Sequence, residues 1–255
     1  MKLVILASEG RPTDILVNSL EDAGIKPVAV LIEPAQSRRA LIQARARRLG
    51  WWAVFGQLLF MTLVLPILRR RSGARLDAIC KAFDLRLDPL PEHRLTSISS
   101  VNAPEALEIL RQIAPDVVVL SGTRIVGSGT LDAVGAPVLN VHAGITPLFR
   151  GVHGGYWALW TGQSQDFGAT VHVVDKGVDT GNVLEHVRPT PTPDDNFVTY
   201  PLLQLGAALP ALIRVLNQLD RGQGLPAPIS TKGPGQQWYH PTLMQYLSGL
   251  RRGVR

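Results

Sequence analysis

The sequence predicts an α/β fold, a doubly wound and mostly parallel sheet, and three observations carry that prediction. Short aliphatic runs recur at residues 3–7, 28–32, 116–120 and 137–141. Segments whose apolar residues fall at helical spacing stand between them. Proline, glycine or charge closes each run, which leaves pieces of strand length.

The composition fits that class. With 255 residues, 45% of them hydrophobic and 18% charged, the chain has the make-up of a globular protein large enough to bury a substantial core. The single cysteine, Cys80, excludes an intrachain disulfide. No paired Cys/His ligand spacing is present, so a reducing compartment is expected and a metal site is not. The opening apolar run meets Glu9, Arg11 and Pro12 at once, too early for the core of a signal peptide. It reads as a buried first strand, and the expected location is cytoplasmic, with membrane association left open.

Element by element, the first strand at 3–7 is followed by a helix at 13–23 with Ile15, Leu16 and Leu20 on one side, Thr13 as its expected cap and Gly24 as its stop. The second strand is 28–32. No G-x-G-x-x-G lies between them, which argues against a dinucleotide site at the usual place. A helical insertion is expected at 36–80. Within it, residues 49–68 carry no charge and are bracketed by Arg47 and Arg48 on one side and Arg69, Arg70 and Arg71 on the other. The length is that of a membrane span, but a span would put the first two strands on one side of a bilayer and the rest of their sheet on the other. Two readings remain: a helix packed on the domain or on the second subunit of a homodimer, and an in-plane membrane anchor with Trp51 and Trp52 at the interface.

Beyond the insertion, a helix at 103–113, a strand at 116–120, a helical stretch ending near Val134 and a strand at 137–141 continue the alternation. A strand at 168–174 has 183–187 as its expected partner. Residues 197–219 are helical in pattern, with Pro201 and Pro210 expected to break or kink the helix. The Gly, Pro and Gln rich stretch 222–241 is expected to be irregular, closed by a short helix near 243–250. The expected division is a catalytic domain at 1–190 and a C-terminal helical extension and tail at 191–255. The net charge of +6 comes partly from arginines at 38–48, 69–75 and 251–255. They are not interleaved with aromatics, so nucleic acid is not an expected partner.

Chemistry concentrates in two segments. The strand at 137–141 delivers Asn140 and His142 two residues apart, on one face and at the carboxyl end of the sheet, where open α/β sheets hold their ligands. A titratable donor beside a carboxamide suits a carbonyl that develops negative charge. Alone, a histidine at a strand end is more often structural than catalytic. The second segment, 168–181, is a strand running into a turn with Asp175 and Asp179, either of which also fits plain turn chemistry. Together the segments read N-x-H-x-x-x-x-P-x-x-R-G, G-x-T-x-H and D-x-x-x-D-x-G.

With these motifs the chain resembles the folate-dependent formyltransferases, which include the glycinamide ribonucleotide, methionyl-tRNA and nucleotide-sugar enzymes. The resemblance covers about residues 1–190 and is strongest over 115–181. It implies a Rossmann-like catalytic domain with Asn140, His142 and Asp179 as the catalytic trio and His172 as a support behind it. It also implies folate contacts from Thr123, Arg124, Ile125, Val126 and Asp175, and 10-formyltetrahydrofolate as formyl donor. The chain departs from the purine enzyme at the Gly-Ser-Asn phosphate loop, replaced here by Ser8-Glu9-Gly10-Arg11-Pro12, and it lacks the length for the extra barrel of the tRNA enzyme. A small-molecule amine acceptor is then expected, an amino sugar on a nucleotide or lipid carrier, contacted by Ser8, Arg11, Arg150 and Tyr156. Arg150 fits a brace of its own loop as well. The competing readings are a hydrolase of 10-formyltetrahydrofolate and an inactive, membrane-associated scaffold.

Overall fold

The computed structural model describes residues 1–231, 233 and 235–255. Its strands in chain order are β1 (Leu3–Ser8), β2 (Ala29–Glu33), β3 (Leu95–Ser97), β4 (Val117–Ser121), β5 (Val138–His142), β6 (Phe149–Gly151), β7 (Ala169–Val173), β8 (Val183–Val187) and β9 (Gln236–Trp238). The helices are α1 (Arg11–Asp22), α2 (Arg38–Leu49), α3 (Trp51–Leu59), α4 (Leu65–Arg71), α5 (Gly73–Ala82), α6 (Pro104–Ile113), α7 (Ser128–Val134), α8 (Gly154–Trp160), α9 (Tyr200–Asp220) and α10 (Leu243–Arg251). A π-helical turn, Phe60–Val64, joins α3 to α4.

Seven strands form one sheet in the order β3-β2-β1-β4-β5-β7-β8, parallel through β5 and antiparallel beyond it. The unbroken aliphatic runs of β1 and β4 follow from burial on both faces. Leu3, Ile5 and Ala7 enter a core with Ile15, Leu16 and Leu20 of α1 and with Leu209, Leu212 and Leu216 of α9. Val4 and Leu6 point the other way, into a core with Ala106 and Leu110 of α6 and Val134 of α7. The sheet is thus covered on both sides, as a doubly wound fold requires.

Three local expectations are corrected. Thr13 does not cap α1: the cap position is Gly10, and the Thr13 hydroxyl donates to the Ser8 carbonyl at 2.7 Å and meets the Ser121 hydroxyl at 3.0 Å, tying the ends of β1 and β4 together. Pro201 starts α9, where a missing N–H costs nothing. Pro210 lies inside α9 without ending it, because its neighbours Leu209, Ala211 and Leu212 are buried in the core and that burial outweighs an interior proline, a cost of about 3 kcal/mol. The tail is not irregular throughout, since β9 pairs in parallel with β6.

The insertion leaves the sheet after β2 and returns through α5. Its return is fixed by Arg75, which makes a two-pronged contact with Asp195 at 2.9 and 2.8 Å just ahead of α9. One side of the 21-residue helical run Trp51–Arg71 packs through Phe60, Val64, Leu65 and Leu68 on an aromatic cluster of Tyr156, Trp157, Phe197 and Tyr246. The other side, with Trp52, Phe55, Leu63 and Ile67, is apolar and exposed. Packing on the domain therefore accounts for one face of the run and leaves the second uncovered.

Candidate active site

Strand order reverses between β1 and β4, and the carboxyl ends of β1, β4 and β5 open on one side of the sheet. Asn140 lies opposite His172 in the antiparallel register of β5 and β7. His172 is buried, and burial, the largest influence on it, lowers its pKa and favours the neutral ring. Its Nδ1 donates to the Val173 carbonyl at 3.0 Å, so Nε2 is left as an acceptor, and Asn140 Nδ2 donates to it at 3.2 Å. The carboxamide is thereby oriented with one N–H committed and a second N–H remaining.

His142 is 7% exposed and anchored by its far nitrogen, Nε2, which donates to the Phe149 carbonyl at 2.9 Å. The nitrogen that remains, Nδ1, lies 3.5 Å from Asp179 Oδ2. Asp179 sits on the turn after β7 in the left-handed region, φ 51°, and its Oδ2 also accepts the Gly151 N–H at 2.9 Å. That turn folds back tightly. A Cβ on Gly181 would lie 1.8 Å from the Val173 carbonyl oxygen, so only glycine fits there. The three side chains singled out from sequence, Asn140, His142 and Asp179, meet around one point with His172 behind them.

A cavity of about 520 Å³ opens over these groups. Thr123, Arg124, Ile125, Val126 and Asp175 all line it. Sequence reasoning missed what holds the 123–126 loop. Glu33, 2% exposed at the end of β2, accepts the Arg124 and Val101 backbone N–H groups at 2.6 and 2.9 Å and pairs with the Arg124 guanidinium at 2.6 Å. Asn102 adds two bonds, donating to the Ile125 carbonyl and accepting from Gly127 N–H. Also missed were Gln237, Trp238 and Tyr239 of the tail, which close the cavity from the far side. The signal that pointed there was the run of Trp238, Tyr239 and His240 in an otherwise Gly and Pro rich tail. The Trp238 indole N–H is buried with no partner among the described residues, a donor available to a ligand.

A second cavity of about 440 Å³ adjoins the first through Leu120, Gly122, Asn140, Val141 and Ala143. Its other walls are apolar side chains of α1, α5 and α9, among them Ile15, Leu16, Leu76, Leu202 and Leu205. Arg11 and Asp77 are the charged residues that reach it.

Of the four residues expected to touch an acceptor, only Arg11 lines either cavity. Ser8 Oγ is committed to the Gly122 carbonyl at 2.7 Å. Arg150 turns away from the trio and donates to the Gly235 carbonyl at 2.9 Å, bracing the tail. Tyr156, 1% exposed, is a member of the aromatic cluster under the insertion. Burial of an aromatic ring stabilises more than exposure at a ligand surface would, and the pattern Tyr156-Trp157 followed the stronger force. Among the described residues no group of three or more His, Cys, Asp or Glu is arranged to hold a metal ion.

This geometry has relatives. Residues 87–201 match the model of the formyl transferase family. The methionyl-tRNA formyltransferase of Desulfotalea psychrophila is 31% identical over 169 residues, 61% of this chain and 51% of that protein. The chain thus spans about half the length of that curated relative. Among solved structures, a sugar N-formyltransferase from Shewanella superposes with a TM-score of 0.57 at 15% identity, covering 99% of this chain and 88% of the other. HypX from Aquifex aeolicus in complex with tetrahydrofolic acid superposes with a TM-score of 0.51 at 13% identity, covering 93% and 29%. At those identities the structures show the fold. The segment that matches the formyl transferase family, residues 87–201, includes Asn140, His142 and the turn that carries Asp179.

Proposed function

We propose that the protein transfers the formyl group of 10-formyltetrahydrofolate to the primary amine of an acceptor, an amino sugar borne on an apolar carrier. The observation that carries this reading is the position of Asn140, on the wall shared by a polar cavity and an apolar one, with His142 and Asp179 beside it. The polar cavity suits a folate. It has backbone-rich loop edges, a free indole donor on Trp238 and the aromatic faces of Trp238 and Tyr239. The folate supplies an activated formyl carbon next to a nitrogen leaving group.

The chain's own groups act around that carbon. The uncommitted Asn140 N–H and a protonated His142 Nδ1 are donors for an oxygen that gains negative charge when an amine attacks. Asp179 Oδ2 lies 3.5 Å from that nitrogen, within reach for proton exchange through a water. The same carboxylate accepts the proton that the attacking amine loses, and His142 Nδ1 is the donor for the proton that the leaving nitrogen gains. The Phe149 carbonyl on Nε2 keeps the ring from turning.

The apolar cavity bears on the acceptor. Two charged residues, Arg11 and Asp77, are a poor match for the several phosphate charges of a nucleotide carrier, and the leucine and isoleucine walls favour an apolar body next to the amine. Curated relatives are named for methionyl-tRNA, so that acceptor is the comparison to run. Purified protein would be given formyl-labelled donor with a polyprenyl-linked amino sugar, a nucleotide-linked amino sugar or methionyl-tRNA. Labelled product from the first alone is expected. Preferred labelling of either of the other two would overturn the acceptor class, and rapid formate release with no acceptor would make the protein a hydrolase.

A further inference from the structure

The proposed transfer does not use the exposed side of the helical run Trp51–Arg71, and an uncovered surface of that kind calls for a partner. Only 17% of its apolar window is buried, against 50% for α9, the other helix of comparable length and apolarity. Trp52 is 89% exposed, with Phe55, Leu63 and Ile67 each more than half exposed. These positions form a stripe opposite the side that packs on the aromatic cluster. On α10, which packs against the same run, Met244, Leu247 and Leu250 are exposed as well.

Charge decides what covers the stripe. Between Glu33 and Asp77 there are nine arginines and no acidic residue. Arg38, Arg39 and Arg47 on α2 and Arg69, Arg70 and Arg71 on α4 are exposed and make no ion pair among the described residues. The stripe therefore carries unneutralised positive charge at both ends. In a two-fold dimer through this face, each cluster would meet another cluster of the same sign. An anionic bilayer meets the opposite condition: headgroup phosphates pair with the arginines while Trp52, Phe55 and Leu63 enter the acyl boundary. The run does not span, because β2 before it and β3 after it are paired neighbours in one sheet.

We infer that the exposed face of Trp51–Arg71 is a docking surface for an anionic lipid bilayer, lying in the plane of the membrane with the arginines of α2 and α4 at headgroup level. The inference stands apart from the formyl transfer reading, and each can fail without the other.

The test is co-sedimentation of the full chain with phosphatidylcholine vesicles, with and without phosphatidylglycerol. Binding is expected only with the anionic lipid and should weaken as salt is raised. A Trp52→Ser, Phe55→Ser double variant changes two exposed side chains and should keep the wild-type melting temperature while binding roughly tenfold more weakly or worse. Arg69→Gln, Arg70→Gln and Arg71→Gln together should do the same. Equal binding to neutral vesicles, unchanged binding by the folded double variant, or no binding to anionic vesicles would overturn the inference. So would a dimer in sedimentation equilibrium that the double variant splits.

Discussion

Asn140, His142 and Asp179 do different work, and substitution should separate them. Under the proposed transfer, Asn140→Ala and His142→Ala each remove a donor for the developing oxyanion, a loss that typically costs about 10²-fold to 10³-fold in kcat. Single-turnover rates beside thermal melts test this, and near-normal turnover in His142→Ala would refute the assignment. His172 acts through Asn140. His172→Phe should lower kcat with little change in KM, whereas His172→Gln, which keeps an acceptor facing Asn140, should recover part of the loss. A second histidine pair lies outside the site: His153 Nε2 is 3.2 Å from His240 Nδ1, with the His153 ring tilted against Phe197. Burial pushes His153 from 6.5 to about 3 and His240 to about 4. Both are neutral in the folded protein, so their stability contribution is complete above the unfolded value and is lost as pH falls through that value toward the folded ones. At about pH 5 the loss is about 2 kcal/mol for each. Urea unfolding at about pH 7.5 and about pH 5 should show it. His153→Asn, which tolerates the left-handed φ of 58°, should halve the difference. The spacing of Asn140 and His142 made their shared face at the end of β5 legible from sequence, because alternate strand residues project together, whereas Asp179 entered only through the family resemblance. Nothing in the sequence announced that the His142 ring would be held by the Phe149 carbonyl, since a backbone acceptor leaves no trace in side-chain pattern.

At the scale of elements, a buried ion pair clasps the returning end of the insertion to the segment ahead of α9. The side chain of Asp195 is fully buried beside Arg75, with Thr192 and Thr199 also bonded to it. Burial alone would raise its pKa, yet the Arg75, Thr192 and Thr199 bonds outweigh that and hold it low. Asp195→Ala removes one partner and strands the other, which should cost about 3 kcal/mol or more in urea unfolding. A change well under that value would mean that α5 is held by its apolar contacts alone. The strands and helices that follow period rules were readable: β1, β2, β4, β5 and β7 fall within a residue or so of their expected bounds. The pairing of β6 with β9 was not, because three residues carry no periodicity. What makes it feasible is Gly151, at φ 92°, where a Cβ would lie 2.3 Å from the Trp238 carbonyl oxygen. Gly151→Ala should loosen that pair and weaken folate binding, as calorimetry would register.

For the molecule as a whole, the tail completes a site whose trio lies far upstream. Trp238 stacks on Trp157 at 4.5 Å and also lines the polar cavity, so it couples the aromatic cluster to that cavity. Trp238→Ala should weaken donor binding by roughly tenfold, the scale of one hydrogen bond, with a smaller effect on catalysis once donor is saturating. The Gly, Pro and Gln rich composition of that stretch speaks of turns, and the run of Trp238, Tyr239 and His240 is its one mark of an ordered role. The shared wall at Asn140 has a kinetic consequence. The two cavities leave room for donor and acceptor at once, and neither obstructs the other, so the enzyme should work through a ternary complex. Initial rates at varied concentrations of both would then give intersecting double-reciprocal lines. Parallel lines would require a formylated enzyme as carrier, a part for which Cys80, the thiol lining the apolar cavity, is ill suited because burial raises its pKa and withholds the thiolate.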